Sequence, residues 1–159
     1  MHKGHYRALS AVFPILLRET EGGTQVLLQR RRNTGYMDGL WDVAGSGHVD
    51  AGETARQALC RECAEELGIT VRPGGAAFAH LSHNVDPAGE QTYYNIYFFV
   101  RAFDGEPAIM EPGKADGLEW FDVSTLPEAM IPVRRADLLR CFGAEPYTEY
   151  LDETEFSEA

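Results

Sequence analysis

Three carboxylates in one short stretch define the chemistry available to this chain. In GHVDAGETARQALCRECAEELGI, residues 47–69, Glu62, Glu65 and Glu66 are spaced i, i+3, i+4 and share one face of a helix. Leu59, Cys63 and Leu67 fall on the other face. Crowded without a counter-charge, such carboxylates repel one another and cost stability. Around a hard divalent cation they become oxygen ligands of the kind Mg²⁺ accepts, with waters or substrate phosphates completing the octahedron. Arg61, four residues before Glu65, can orient that carboxylate by a charge-assisted hydrogen bond. The competing reading is a solvated acidic helix face.

The elements that must hold these groups are legible in outline. Glu53-Thr54 opens a helix over 54–67 and Gly68 stops it. Upstream, residues 7–18 and 24–30 are apolar, β-rich runs separated by the turn-forming EGGT, and a long Gly-rich connection spans 31–52. Downstream, strands are expected over about 76–83 and 91–103, joined by NVDPAGE, with a shorter one at 117–123 and a final helix at 133–142. Strands with one helix between them and another at the end imply an α/β/α sandwich on a mixed β-sheet.

Composition narrows the function class. With 159 residues and no internal repeat, the chain reads as a single domain, expected over 1–145, followed by an acidic tail over 146–159. The net charge of −11 argues against a nucleic-acid polymer as partner. Six acids and no Lys or Arg lie from Glu145 onward, which reads as a solvated, frayed end. The N-terminal apolar run is too short for a signal peptide, and no stretch reaches the roughly eighteen apolar residues of a membrane span, so the expected compartment is the cytoplasm. Cys60, Cys63 and Cys141 are odd in number and read as reduced thiols; a redox or zinc role for the C-x-x-C of Cys60 and Cys63 is disfavoured in a helix interior.

Gly47, five residues, Glu53, seven residues, then Arg61-Glu62-Cys63-x-Glu65-Glu66-x-Gly68-Ile69 resembles the signature of the Nudix hydrolase superfamily, MutT-like members included. Every invariant polar and glycine position is filled. Cys63 stands where the family has Ile, Leu or Val, a change expected to loosen the core slightly without altering the chemistry. A looser likeness runs through Trp41-Asp42 and the Leu118–Pro127 stretch. The resemblance implies a loop-helix-loop catalytic element on an α/β/α sandwich that hydrolyses a nucleoside diphosphate linked to another group. Carried over, the Gly47 carbonyl with Glu62, Glu65 and Glu66 would hold Mg²⁺ or Mn²⁺. Glu53 and Arg61 would steady the loop and orient the ligands. Glu62 or Glu65 would serve as base, with Glu90 a further candidate.

Trp41-Asp-Val-Ala-Gly-Ser-Gly-His48 is similar to the form in isopentenyl-diphosphate isomerases, but those carry a cysteine where this chain has Ser46, so hydrolysis stays ahead of isomerisation. A non-catalytic nucleotide-sensing domain is the other alternative; such domains tend to lose the carboxylates kept here and to be attached to a DNA-binding segment, for which this chain has no room. For a small nucleotide, NDP-sugar or ADP-ribose-like substrate, Arg30, Arg31 and Arg32 at the end of the second strand are candidate phosphate contacts, Asp42 a candidate reader of a base edge, and Glu90 a candidate contact from its loop. His48 reads as a loop hydrogen-bonder, and Tyr93, Tyr94, Tyr97, Phe98 and Phe99 as mostly core. A homodimer is compatible with this sequence.

Overall fold

The computed structural model describes residues 4–151. Its elements run β1 (Leu9–Thr20), β2 (Gly23–Arg31), β3 (Trp41–Val43), β4 (Gly47–His48), α1 (Ala55–Leu67), β5 (Ala76–Asn84), β6 (Tyr93–Val100), β7 (Ala115–Asp122), α2 (Pro132–Cys141) and β8 (Tyr147–Tyr150), with two single-turn 3₁₀ segments. The two long helices and all five longer strands fall close to where the sequence pattern places them.

The double-sided burial of β1 decides the architecture. Val12 and Leu16 enter one core, which contains Leu59, Cys63 and Leu67 of α1. Phe13, Ile15 and Leu17 enter a second core with Tyr97 and, from α2, Leu138. A strand apolar on both faces must be central and covered on both sides, which is the expected α/β/α sandwich. The strand order is β3-β2-β1-β6-β5-β8, with β4 also on β1 and β7 also on β2. β1 runs parallel to β6 along one edge. Along the other it meets β4 at Ala11 and Val12, then β2 from Leu17 onward. Pro14, which has no N–H to donate, falls in the interval between those two pairings.

Three strands were not expected, and each is short. β3 and β4 lie inside the Gly-rich connection and have 3 and 2 residues, too few for any periodicity to show. β8 corrects the reading of a frayed end beginning at Glu145: Tyr147–Tyr150 pairs parallel with β5. Tyr150 is buried and its hydroxyl donates to Asp137 Oδ1 at 2.8 Å, so a specific polar anchor holds this segment to α2. The acids at 152–158 lie outside the described residues. Among the described residues no helix is long and apolar enough to cross a membrane.

A buried polar network locks α2 to the sheet. Arg134 donates from Nε to Asp42 Oδ1 at 2.9 Å and lies over the Phe13 ring, 3.7 Å from its centroid. Asp137 accepts from the hydroxyls of Tyr97, Ser82 and Tyr150 at 2.7–2.9 Å. Buried ionised groups of this kind are tolerated only when each has its partner. Replacing Arg134 with Met leaves Asp42 facing only Arg31, at 3.4 Å. Urea unfolding should then show a loss of about 3 kcal/mol, while the Asp42→Asn, Arg134→Met pair should lose clearly less than the two single losses combined. Strictly additive losses would show that the two side chains do not act as a unit.

Candidate functional site

Local sequence builds the scaffold of the site. Thr54 caps α1 by accepting from the Gln57 N–H, and Gln57 accepts from the Thr54 N–H in return, so the helix begins at a defined residue. Gly68 closes it in the left-handed conformation, φ 68°, its N–H returning to Ala64 O. Gly47 serves a different purpose. A Cβ there would overlap the Glu62 carboxyl group as it stands, so a side chain at this position would push that carboxylate aside.

Arg61 organises the charged face. Its guanidinium donates to Glu53 through Nε at 3.1 Å and Nη2 at 2.7 Å, a two-point grip. Nη2 also donates to the His48 carbonyl at 3.0 Å. Nη1 reaches Glu62 at 2.9 Å and Glu65 at 3.2 Å. One cation thus ties the loop before α1 to two of the three carboxylates on the helix face. Glu53 is set in turn by the Asp50 N–H at 2.8 Å. Its bond from Arg61, and then that N–H, hold its carboxyl below the usual range. Glu62 shows the opposite: burial raises it, and the Arg61 contact offsets that only in part. Desolvation therefore outweighs the ion pair at Glu62.

Glu66 meets a carboxylate that the sequence pattern does not single out. The last carbonyls of a helix lack intrahelical partners. Here Ala108 N–H donates to Leu67 O at 3.0 Å and Met110 N–H to Glu66 O at 3.1 Å. This stitching delivers Glu111 to Glu66, and Glu111 Oε2 is buried without a hydrogen bond, with Lys114 Nζ as an ion-pair partner at 3.4 Å. Burial first, then Glu111 and Glu62, push the Glu66 carboxyl up to about 7, with Lys114 acting in opposition. Glu111 sits in an irregular segment 45 residues after Glu66, so no spacing rule could have flagged it.

The structure joins Glu53, Arg61, Glu62 and Glu65 in one hydrogen-bonded group with Gly47 against Glu62, and sets Glu66 beside it, near enough to Glu62 to act on its charge. The outer candidates fare differently. Asp42, expected to read a base edge, is corrected: it is 2% exposed, and its oxygens are engaged by Arg134, Arg31 and the Val43 N–H. Arg30 is not a free phosphate contact, since Asp116 Oδ1 pairs with it at 2.7 Å and Trp41 lies beneath it. Arg31 is turned into the loop at 34–36. Arg32 stays exposed. Glu90 sits in a loop organised by Asp86, which accepts the Glu90 N–H at 3.0 Å; among the described residues no bond joins its carboxylate to the α1 cluster. His48 acts as expected for a loop hydrogen-bonder, contacting Tyr93 Oη at 3.0 Å. The three thiols are free, and burial pushes Cys63 and Cys141 up to about 12, far from thiolate chemistry.

Among the described residues no three carboxylate, imidazole or thiol groups form a ready-made metal cage. Glu62 and Glu65 have Arg61 between them, and Glu66 faces Glu111. The donor set nonetheless suits a hard divalent cation: it is all oxygen, two of its carboxyls are raised by burial without enough positive charge, and one buried carboxylate oxygen accepts no hydrogen bond.

Comparison with known proteins agrees with this geometry. The NUDIX domain family model matches residues 8–142. A Bacillus subtilis protein provisionally named an 8-oxo-dGTP diphosphatase is 30% identical over 126 residues, 79% of this chain and 74% of that protein. The NAD-capped RNA hydrolase NudC of Chromobacterium violaceum is 27% identical over 138 residues, 85% of this chain but 46% of that protein, so the chain spans under half of that relative. The crystal structure of a MutT NUDIX hydrolase from Burkholderia pseudomallei superposes with a TM-score of 0.72 at 28% identity, over 84% of this chain and 98% of that one. With the glycine, arginine and glutamates of the loop and helix in place and the family model covering most of its length, the chain belongs to the Nudix hydrolase family.

Proposed function

We propose that the protein is a divalent-cation-dependent pyrophosphohydrolase acting on a nucleoside diphosphate linked to a further group. One observation carries this reading: Glu62 and Glu65 share one Arg61 nitrogen with the Gly47 backbone against Glu62, while Glu66 is near enough to Glu62 to act on its charge and is joined by Glu111 from a distant loop. Mg²⁺ or Mn²⁺ held by these oxygens would neutralise charge on the oxygens bridging two phosphorus atoms. The chain's own residues supply the rest. Glu53 fixes Arg61, and Arg61 restrains Glu62 and Glu65, so the carboxylates keep their orientation while phosphate approaches. Glu62 takes the proton of the attacking water, because burial raises its basicity and Arg61 holds it in place; Glu65 is the alternative base. Lys114 is an exposed cation beside Glu111.

The relatives' names point to different substrates, one a modified nucleoside triphosphate and the other a dinucleotide cap on RNA. What the two share is a nucleotide with a phosphoanhydride, and that shared chemistry is the substrate class assigned. A panel of nucleoside triphosphates, ADP-ribose, NDP-sugars and dinucleoside polyphosphates, assayed with Mg²⁺ and with chelator, tests it. Cleavage of at least one of them, lost on chelation, is expected. In Glu66→Gln turnover should fall by at least about 100-fold. A variant as fast as wild type would remove Glu66 from the cation site.

The same variant has an opposite effect on stability. Glu66 titrates near 7 in the folded chain against an ordinary value of 4.5, so folding retains a proton that the unfolded chain releases. The stability this confers is complete below pH 4.5 and is lost as pH rises through about 7. Without divalent cation, Glu66→Gln should therefore match wild type at pH 5 and melt at higher temperature at pH 8.5. Added Mg²⁺ should close that gap by stabilising wild type alone. Melting curves that stay parallel across this pH range would contradict the account of Glu66.

A further inference from the structure

We infer that Asn95 and Asn84 determine which nucleobase is accepted, their side-chain oxygens receiving the hydrogens of an amino group on its edge. This rests on the hydrolytic reading of the carboxylate cluster and adds a place for the other end of the substrate.

Strand register sets the two amides on one face. Asn95 of β6 lies two residues before Tyr97, which packs with Leu138 of α2, so by alternation it faces the same side. Across the sheet it is paired with Ala11 on β1 and Ser82 on β5, and Ala11 is paired in turn with His48 on β4. Asn84 stands two residues along β5 from Ser82, opposite Tyr93, which makes it the diagonal neighbour of Asn95. Asn95 is 7% exposed and Asn84 5%, yet neither Oδ1 accepts a hydrogen bond. Asn84 Nδ2 donates to Ser82 Oγ at 3.1 Å, which turns its oxygen away from that hydroxyl.

A buried carbonyl oxygen without a donor is costly until one arrives. Neighbouring buried groups on this face are matched: Ser82 and Tyr97 donate to Asp137, and Arg134 donates to Asp42. The unmatched pair calls for a donor from outside the chain. An ionised phosphate only accepts, so the part of a nucleotide that fits is its base, and one amino nitrogen carries a hydrogen for each oxygen. Asp42, closed off by Arg134, is not available for this task. The row reaches the surface at its β4 end, where His48 is exposed, Leu9 is 43% exposed and the His48 ring meets Tyr93 Oη at 3.0 Å. Between His48 and Asn95, Ala11 puts only a methyl group in the path. β4 also joins the two halves of the site: Gly47 lies against Glu62 on the α1 side, and His48, next in the chain, points to the amide side. Two inter-strand steps separate β4 from β6, about 10 Å, a span that a ribose and base extending from a cation-bound phosphate can cross.

The test uses the whole chain with Asn95→Leu, an apolar side chain of similar size, and with Asn84→Ala. Guanosine and inosine diphosphates differ by one amino group, as do adenosine and purine-riboside diphosphates. Titrated calorimetrically in the presence of Ca²⁺, wild type should bind the amino-bearing member of at least one pair about tenfold more tightly, the value of one buried hydrogen bond. Each variant should bind both members of that pair alike. Without nucleotide, Asn95→Leu should melt no lower than wild type, because the oxygen it removes has no donor. No amino preference in wild type, or one that survives in Asn95→Leu, overturns the assignment. So does a clearly lower melting temperature in Asn95→Leu, which would reveal a structural partner such as an ordered water. Should the preference depend on Asn95 while no anhydride is cleaved, the base site stands and the hydrolytic reading falls; cleavage indifferent to the amino group does the reverse.

Discussion

One guanidinium holds the site together. Arg61 contacts Glu53 at two points, the His48 carbonyl, and both Glu62 and Glu65, so a single side chain joins the loop that ends β4 to the exposed face of α1. Four carboxylates near one cation leave the region short of positive charge. That deficit is what suits it to a doubly charged ion and to the phosphate an ion would bring. The capping box at Thr54 and the left-handed Gly68 fix where the helix starts and stops, and so fix the rotation of its three glutamates.

Stability and function pull in opposite directions at Glu66. The free carbonyls at the end of α1 are satisfied by the 108–110 backbone, and this favourable arrangement forces Glu111 against Glu66. A fold selected for stability alone would place an amide there. On the α2 face the polar groups are instead matched: Asp137 receives three hydroxyls and Asp42 faces Arg134. On the α2 face charges are matched, and at the end of α1 they are not.

Several of the chain's arginines are engaged by the fold itself. Arg134 lies in the core, while Arg18, Arg30 and Arg31 rest on aromatic rings, where their stems and charge are used in packing.

The local pattern was enough for α1, for Glu62, Glu65 and Glu66 lying on one helix face, for Arg61 as the partner of Glu65, and for the longer strands with a helix between them and another at the end. These follow from 3.6- and 2-residue periods and from capping chemistry, which act between near neighbours. The fates of Asp42, Arg30, Glu111 and β8 were decided elsewhere. Asp42 is closed off by Arg134, 92 residues away; Arg30 by Asp116, 86 residues away. Glu111 reaches the site through backbone bonds to the end of a helix, and β8 exists because Tyr150 finds Asp137 and a free edge of β5. Each depends on contacts between segments that only chain topology brings together, and no local spacing encodes which distant group will arrive to neutralise, bury or repel a given charge.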